Sequence, residues 1–344
     1  MSQTAEELGA FLKTPCKTLK HGAEVRRVLL AVCGAAVTLS NTISMGSLAG
    51  DMARATAQEG GGDVQKFLDL HSNQVLHNCL TGQPVAWFAS EEDPEPVAIT
   101  EGAPLALAVD PLDGSSNIDT NAAIGTIFSI REASHGAASF LQPGTGQLAA
   151  GFVVYGPQTV LVFTLGCGTH MATLNRSTGT FHITARNVKV DSACREYAIN
   201  MSNKRHWSDG IRTYVQDCQR GIMGPRGVDF NMRWIASLVA DAYRILVRGG
   251  IYLYPADTRK GYEHGRLRLV YEAFPIAMVM EQAGAKATDG HVRILEKQAD
   301  QIHARTPLVF GSADEVMRLT AYLENTESLP ENAPLFAERG LFRN

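Results

Sequence analysis

The run Asp110-Pro111-Leu112-Asp113-Gly114-Ser115-Ser116-Asn117 constrains this chain more than any other stretch. Leu105 to Val109, just before it, is an unbroken apolar segment and reads as a buried strand. Pro111 and the Asp113-Gly114 pair are expected to stop that strand and force a turn. Two carboxylates, three residues apart, then sit at the open end of a strand. The Gly and Ser residues behind them can point backbone N–H groups at an anion. Carboxylates that collect divalent cations, beside amides that collect a phosphate, are the parts of metal-assisted phosphate ester hydrolysis. Asp-Gly is also an ordinary turn dipeptide, so the residue types alone leave a tight corner and a metal site both open.

The length of 344 residues suggests two domains. With 45% hydrophobic and 19% charged residues, the chain has the make-up of a globular protein with a sizeable core. The net charge of −4 gives no reason to expect nucleic acid or an anionic membrane as partner. The N-terminus lacks the basic and apolar regions of a secretory signal, and no apolar run is expected to span a bilayer. Cysteines at 16, 33, 79, 167, 194 and 218 have no metal-knuckle spacing and read as free thiols of a cytoplasmic protein.

Along the chain, Thr4 and Glu7 have the spacing of a capping box, which predicts a short helix through Leu12. Val25, Val28, Leu29, Val32, Cys33 and Val37 recur at helical spacing and predict a helix from Ala23 to Met45. Ser47 to Gly62 has no apolar period and reads as a linker or a loop over a site. Asp63 opens a second helix as a candidate N-cap, and Asp69 sits inside it, where a solvated face is the plain reading. Val85 to Ala89 reads as a strand running into Glu91-Glu92-Asp93. If that strand lies beside Leu105–Val109 with the same sense, all these carboxylates converge. They then raise one another's pKa values unless cations bind, so the cluster implies metal.

Strands follow at Ile124–Arg131, Ala149–Tyr155, Thr159–Leu165, His170–Leu174 and Phe181–Thr184, joined by short turns as in an antiparallel meander. The polar stretch Arg186–Arg195 is the candidate boundary between domains 1–190 and 191–344. Beyond it come a strand at Tyr197–Asn200, helices from Asp209 and across Met232–Leu246, and a strand at Ile251–Tyr254. A helix over Leu269–Gln282, in which Pro275 marks a kink or a later start, precedes a strand at Pro307–Phe310 and a helix at Asp314–Leu323. There is no Rossmann glycine fingerprint and no P-loop.

The eight-residue run resembles the metal-binding signature of the lithium-sensitive, magnesium-dependent sugar and inositol phosphatases. Its continuation, Asn117-Ile118-Asp119 and then Gly125-Thr126-Ile127-Phe128, resembles class I fructose-1,6-bisphosphatase. So does Leu267-Arg268-Leu269-Val270-Tyr271-Glu272. The resemblance covers about residues 20 to 325 and implies an α+β fold, a layered α/β/α/β/α sandwich of two domains. It implies that Glu91, Asp110, Asp113, Glu272 and the carbonyl of Leu112 bind two or three Mg2+ ions per site, with Mn2+ as the alternative. Asp63 then contacts the metals when the Ser47–Gly62 loop closes as a lid, and Asp69 and Glu92 orient and deprotonate the attacking water. Gly114, Ser115, Ser116 and Arg268 hold the departing phosphoryl group. Asn200, Arg233, Tyr254 and Arg266 bind the distal phosphate of a sugar bisphosphate. In the family that Arg233 position serves a neighbouring subunit's site, which implies a homo-oligomer, a tetramer.

Three positions depart from the family pattern. Arg266 replaces a common Lys, and Asn203 and Trp234 replace tyrosines, which leaves a seven-carbon bisphosphate, sedoheptulose-1,7-bisphosphate, as the runner-up substrate. His21-Gly22-Ala23-Glu24-Val25-Arg26 lacks the hydroxyl donors of AMP-inhibited members, so AMP is expected to inhibit weakly or not at all. A catalytically silent sugar-phosphate sensor is the alternative from another class, and the intact acid set argues against it.

Overall fold

The computed structural model describes residues 5–48 and 62–324, and it does not describe the side chains of 47 and 62–67. Thr4 and all but the ends of the Ser47–Gly62 loop lie outside the described residues. Seven α-helices are present among them: α1 Leu8–Phe11, α2 Gly22–Met45, α3 Gly62–Cys79, α4 Asp209–Arg220, α5 Leu238–Arg248, α6 Phe274–Gln282 and α7 Ala313–Leu323. The larger sheet is built from β1 Val85–Ser90, β2 Val97–Ala98, β3 Leu105–Asp113, β4 Ile124–Glu132, β5 Gln147–Tyr155, β6 Thr159–Thr164, β7 Thr169–Asn175 and β8 Thr180–Val188. Its order is β2-β1-β3-β4-β5-β6-β7-β8. From β3 onward it is the expected antiparallel meander.

The smaller sheet contains β9 Glu196–Ala198, β10 Asn231–Met232, β11 Ile251–Tyr254, β13 Lys286–Thr288 and β15 Leu308–Gly311, in the order β10-β9-β11-β15-β13. Two further short strands, β12 Leu267–Arg268 and β14 Arg305–Thr306, pair with each other.

The two sheets and three helix layers stack because each strand has two apolar faces to cover. On β3, Leu105, Leu107 and Val109 face α2 and α3, while Ala106 and Ala108 face the opposite core. Those alanines belong to the same cluster as Val239 of α5, Ile276 of α6, and Tyr252 and Phe310 of the smaller sheet. The far face of the smaller sheet, Tyr197, Ile251, Leu253 and Val309, packs on α4 and α7. There the buried Arg226 pairs with Glu315, whose other oxygen accepts from Tyr214 at 2.7 Å. The result is the α/β/α/β/α sandwich.

Several local expectations are corrected. Glu7 caps no helix with its side chain; its backbone forms a β-bridge with His182 of β8, the edge strand of the larger sheet. Contrary to the sequence reading, α2 is long and apolar enough, by length and composition alone, to cross a bilayer. Its apolar side is instead spent on the larger sheet. The helix expected across Met232–Leu246 begins only at Leu238. Met232 is a strand residue, and Ala236 takes a φ of 66°, which interrupts any helix. Of the two readings of Pro275, the later start holds: Leu269–Ala273 form a π-helical turn, and Pro275 sits in the first turn of α6, where its missing N–H costs nothing. All six cysteines are free.

Candidate active site

Pro111 does not end its strand. β3 runs through to Asp113, and its pairing with β4 shifts register between Asp110, opposite Ile127, and Asp113, opposite Gly125. Three residues on β3 therefore face two steps on β4, which is a one-residue bulge. In a regular strand, residues three apart point to opposite faces. The bulge cancels that alternation and brings both aspartates to one side. Thr126 Oγ1 donates to the Pro111 carbonyl at 2.9 Å, and the Leu112 N–H donates to Asp110 Oδ1 at 3.1 Å, so the bulge is tied from both sides. The turn comes one residue later, at Gly114, whose φ of 76° suits glycine.

β1 lies parallel to β3, with Ser90 opposite Val109, and the Glu91 N–H extends the pairing to the Val109 carbonyl at 3.1 Å. Glu91 thus leaves its strand beside Asp110, as expected if the two strands share a sense. Glu272 comes from the π-helical turn and is 6% exposed, not a surface carboxylate. It accepts the backbone N–H of Arg268. Oxygens of Asp110, Asp113 and Glu272 lie within 4.8 Å of one another, and all three residues are buried.

Burial raises Asp110 and Glu272 well above the carboxylate range, and Glu91 and Asp113 push both further. Asp113 rises to about 6, through burial opposed by backbone N–H groups including that of Val239. A cluster of this kind is stable only when protonated or when it holds a cation. An all-oxygen donor set fits a hard divalent ion and not a soft one.

Asp69, in α3, is not on a solvated helix face. It is half-buried and bonded to Ser115, and burial with repulsion from Glu92 and Glu91 lifts it to about 7. Glu92 is raised by burial and by Glu91. Arg268 Nε donates to Glu91 Oε1 at 3.1 Å. Asp69, Glu91, Glu92, Asp110, Asp113, Ser115, Arg268 and Glu272 are therefore brought to one place, with Gly114 and Ser116 in the turn between them. The backbone at Asp63 is helical, in the first turn of α3; its side chain lies outside the description.

Sequence reasoning missed the N-terminus of α5. Val239 donates its N–H to Asp113 Oδ2 at 3.0 Å, and Ser237 Oγ lies 3.4 Å from the same atom. Asp113 caps a helix 126 residues away in sequence. Gly125 permits the approach, since a Cβ there would lie 2.5 Å from a Val239 methyl. A glycine opposite the bulged aspartate was the available signal.

The distal group is gathered by topology. β10 and β11 both run parallel to β9, so Asn200, Arg233 and Tyr254 all fall at the same end of three neighbouring strands. Asn200 accepts from Ser202 N–H at 3.1 Å, Arg233 is exposed, and Tyr254 is half-buried beside Trp234, with ring centroids 6.1 Å apart. Arg266 donates to the Tyr262 hydroxyl at 2.8 Å, and the guanidinium groups of Arg259 and Arg266 lie 4.0 and 4.7 Å from the Tyr262 ring centre.

Comparison with known proteins agrees in sequence and in fold. Residues 11–186 match the family model described as the fructose-1-6-bisphosphatase N-terminal domain, and residues 190–324 match that of its C-terminal domain. The class 1 fructose-1,6-bisphosphatase of Sinorhizobium medicae is 52% identical over 347 residues, covering 98% of each chain. That of Methylorubrum extorquens is 51% identical over 325 residues, covering 94% of this chain and 93% of the relative. The crystal structure of Leishmania major fructose-1,6-bisphosphatase in holo form superposes with a TM-score of 0.82 at 30% identity, over 94% of this chain and 100% of that one. With the signature acids gathered on a bulged strand and the matches running almost end to end, the chain belongs to the class 1 fructose-1,6-bisphosphatases.

Proposed function

We propose that this enzyme hydrolyses the 1-phosphate of fructose-1,6-bisphosphate to fructose 6-phosphate and phosphate, using Mg2+, or Mn2+ in its place. The observation that carries the reading is the buried trio Asp110, Asp113 and Glu272, three mutually repelling carboxylates with oxygens within 4.8 Å of one another. With Glu91 and the Leu112 carbonyl they form the ligand set for two or three ions. When bound, the ions would activate water and neutralise charge on the phosphoryl oxygens.

The chain's own groups do the rest. Asp69, half-buried beside Glu92 and bonded to Ser115, is placed to accept a proton from the attacking water. Glu92 stands beside it as its partner in orienting and deprotonating water, and Asp63 serves the metals from the start of α3. The Gly114–Ser116 turn receives the phosphoryl group and Arg268 clamps it. Asn200, Arg233, Tyr254 and Arg266 hold the distal phosphate. Arg233, exposed at the end of β10, is assigned to the site of a neighbouring copy, in a homotetramer working in the cytoplasm. The chain divides near residue 190, between the two sheets.

One observation favours sedoheptulose-1,7-bisphosphate as a second substrate. Arg266, whose guanidinium lies 4.7 Å from the Tyr262 ring centre, stands where the family commonly carries Lys and offers a two-pronged donor to a phosphate set one carbon further out. Phosphate release from the two sugars, measured side by side, tests this. Comparable kcat/KM values support the dual reading, activity on fructose-1,6-bisphosphate alone removes it, and activity on neither overturns the proposed function.

A further inference from the structure

Between Arg233 and Leu238 the chain makes a non-helical turn that joins the metal half of this site to Arg233, the arm assigned to the neighbouring copy. Its first residue, Arg233, donates its N–H to the Tyr197 carbonyl at 2.8 Å and projects to the surface. Trp234 then stacks on Tyr252, with ring centroids 5.6 Å apart, next to Tyr254. The carbonyl of Ala236 accepts from Asn117 Nδ2 at 2.8 Å, in the turn that follows Gly114. Ser237 and Val239 complete the run at Asp113 Oδ2. Ala236 holds a φ of 66°, a conformation an alanine keeps only when its surroundings impose it.

Asp241 is what imposes it. This aspartate is 1% exposed, one turn into α5, and both of its oxygens accept the Ile235 N–H, at 3.2 and 3.3 Å. The Ala236 N–H is a further donor to it. Arg244, the cation nearest to it on the same helix, is committed to Glu196 through two bonds of 2.9 and 2.8 Å. The carboxylate is thus spent on the turn. Elsewhere in the fold the buried Arg226–Glu315 pair has no link to the site, and the fully buried Arg131 supports only carbonyls near Pro143 and the Phe274 ring.

We propose that Asp241 is a positioning residue which, by fixing the Arg233–Ser237 turn, couples occupancy of the metal ligand Asp113 in one copy to capture of the distal phosphate in the neighbouring copy that Arg233 serves. The inference rests on the proposed function, because it takes Asp113 as a metal ligand and Arg233 as a phosphate arm. Metal drawn to Asp113 orders Ser237 and Val239, the turn carries that order to Trp234 and Arg233, and the coupling is necessarily reciprocal.

The experiment titrates Mn2+ into the full-length enzyme by electron paramagnetic resonance, with and without fructose 6-phosphate. Wild type is expected to bind Mn2+ about fivefold or more tightly in the presence of the sugar phosphate. Asp241→Ala should bring that ratio close to one and raise KM by about tenfold, a larger factor than its loss of kcat. Asp241→Asn, which keeps one acceptor oxygen, should fall between the two and carries the test if the alanine variant does not fold. Glu315→Gln, destabilised at a distance, should keep the wild-type ratio. A wild-type ratio of one, or Asp241 variants that lose only thermal stability and keep the ratio and KM, overturns the inference. Wild type that binds no Mn2+ overturns the metal reading itself, and the inference with it.

Discussion

Arg268 holds Glu91 across the metal site: its Nε donates to Glu91 Oε1 at 3.1 Å, while its backbone N–H donates to Glu272. One residue therefore tethers a carboxylate from the end of β1 to a carboxylate of the π-helical turn. Among the described residues, the guanidinium is the cation that pairs with Glu91.

This arrangement sets two effects of Arg268→Ala against each other. Phosphoryl clamping is lost, so kcat should fall by about a hundredfold. The cluster also becomes more negative, so Mn2+ should bind at least as tightly as in wild type. Parallel turnover and Mn2+ titrations separate the two, and a variant that loses metal affinity together with kcat contradicts the arrangement. Arg268→Lys should restore little of the rate, because a point charge does not reproduce a fork that bonds Glu91 and, on the proposed reading, a phosphoryl group.

The acid cluster makes stability without metal depend on pH in a definite direction. Asp113 and Asp69 are raised in the folded chain, to about 6 and about 7, above the ordinary aspartate value. Their contribution to stability is fully present below the unfolded pKa and is lost as pH rises through the folded one. Metal-free enzyme should thus lose melting temperature between about pH 4 and pH 7 from these groups. Added Mg2+ replaces the lost protons, so the stabilisation it gives should grow over the same window. Thermal unfolding with chelator and with Mg2+, at pH 5 and pH 8, checks this. A metal-induced shift that is larger at pH 5 contradicts it.

The legible parts of the fold were those with a strong local signal. The apolar runs of β3 and β5 and the helical stripe of α2 needed no context. The convergence of Glu91 with Asp110 followed from two strands of equal sense. The bulge at Pro111–Leu112 was not legible, because it is a register event between two strands and only the pairing with β4 reveals it. The late start of α5 escaped for the same kind of reason. Its cap, Asp113, comes from another strand, and the turn before it is held by Asp241, so helical periodicity from Met232 onward was misleading. Two-residue strands such as β10, β12 and β14 are too short to carry any period.

The most direct test of the central claim is phosphate release from fructose-1,6-bisphosphate by wild type and Asp113→Ala, each with Mg2+ and with chelator. The buried trio predicts release by wild type only with Mg2+, and a loss of about a hundredfold or more in the variant. Release that persists with chelator, or that is unchanged in Asp113→Ala, would contradict it.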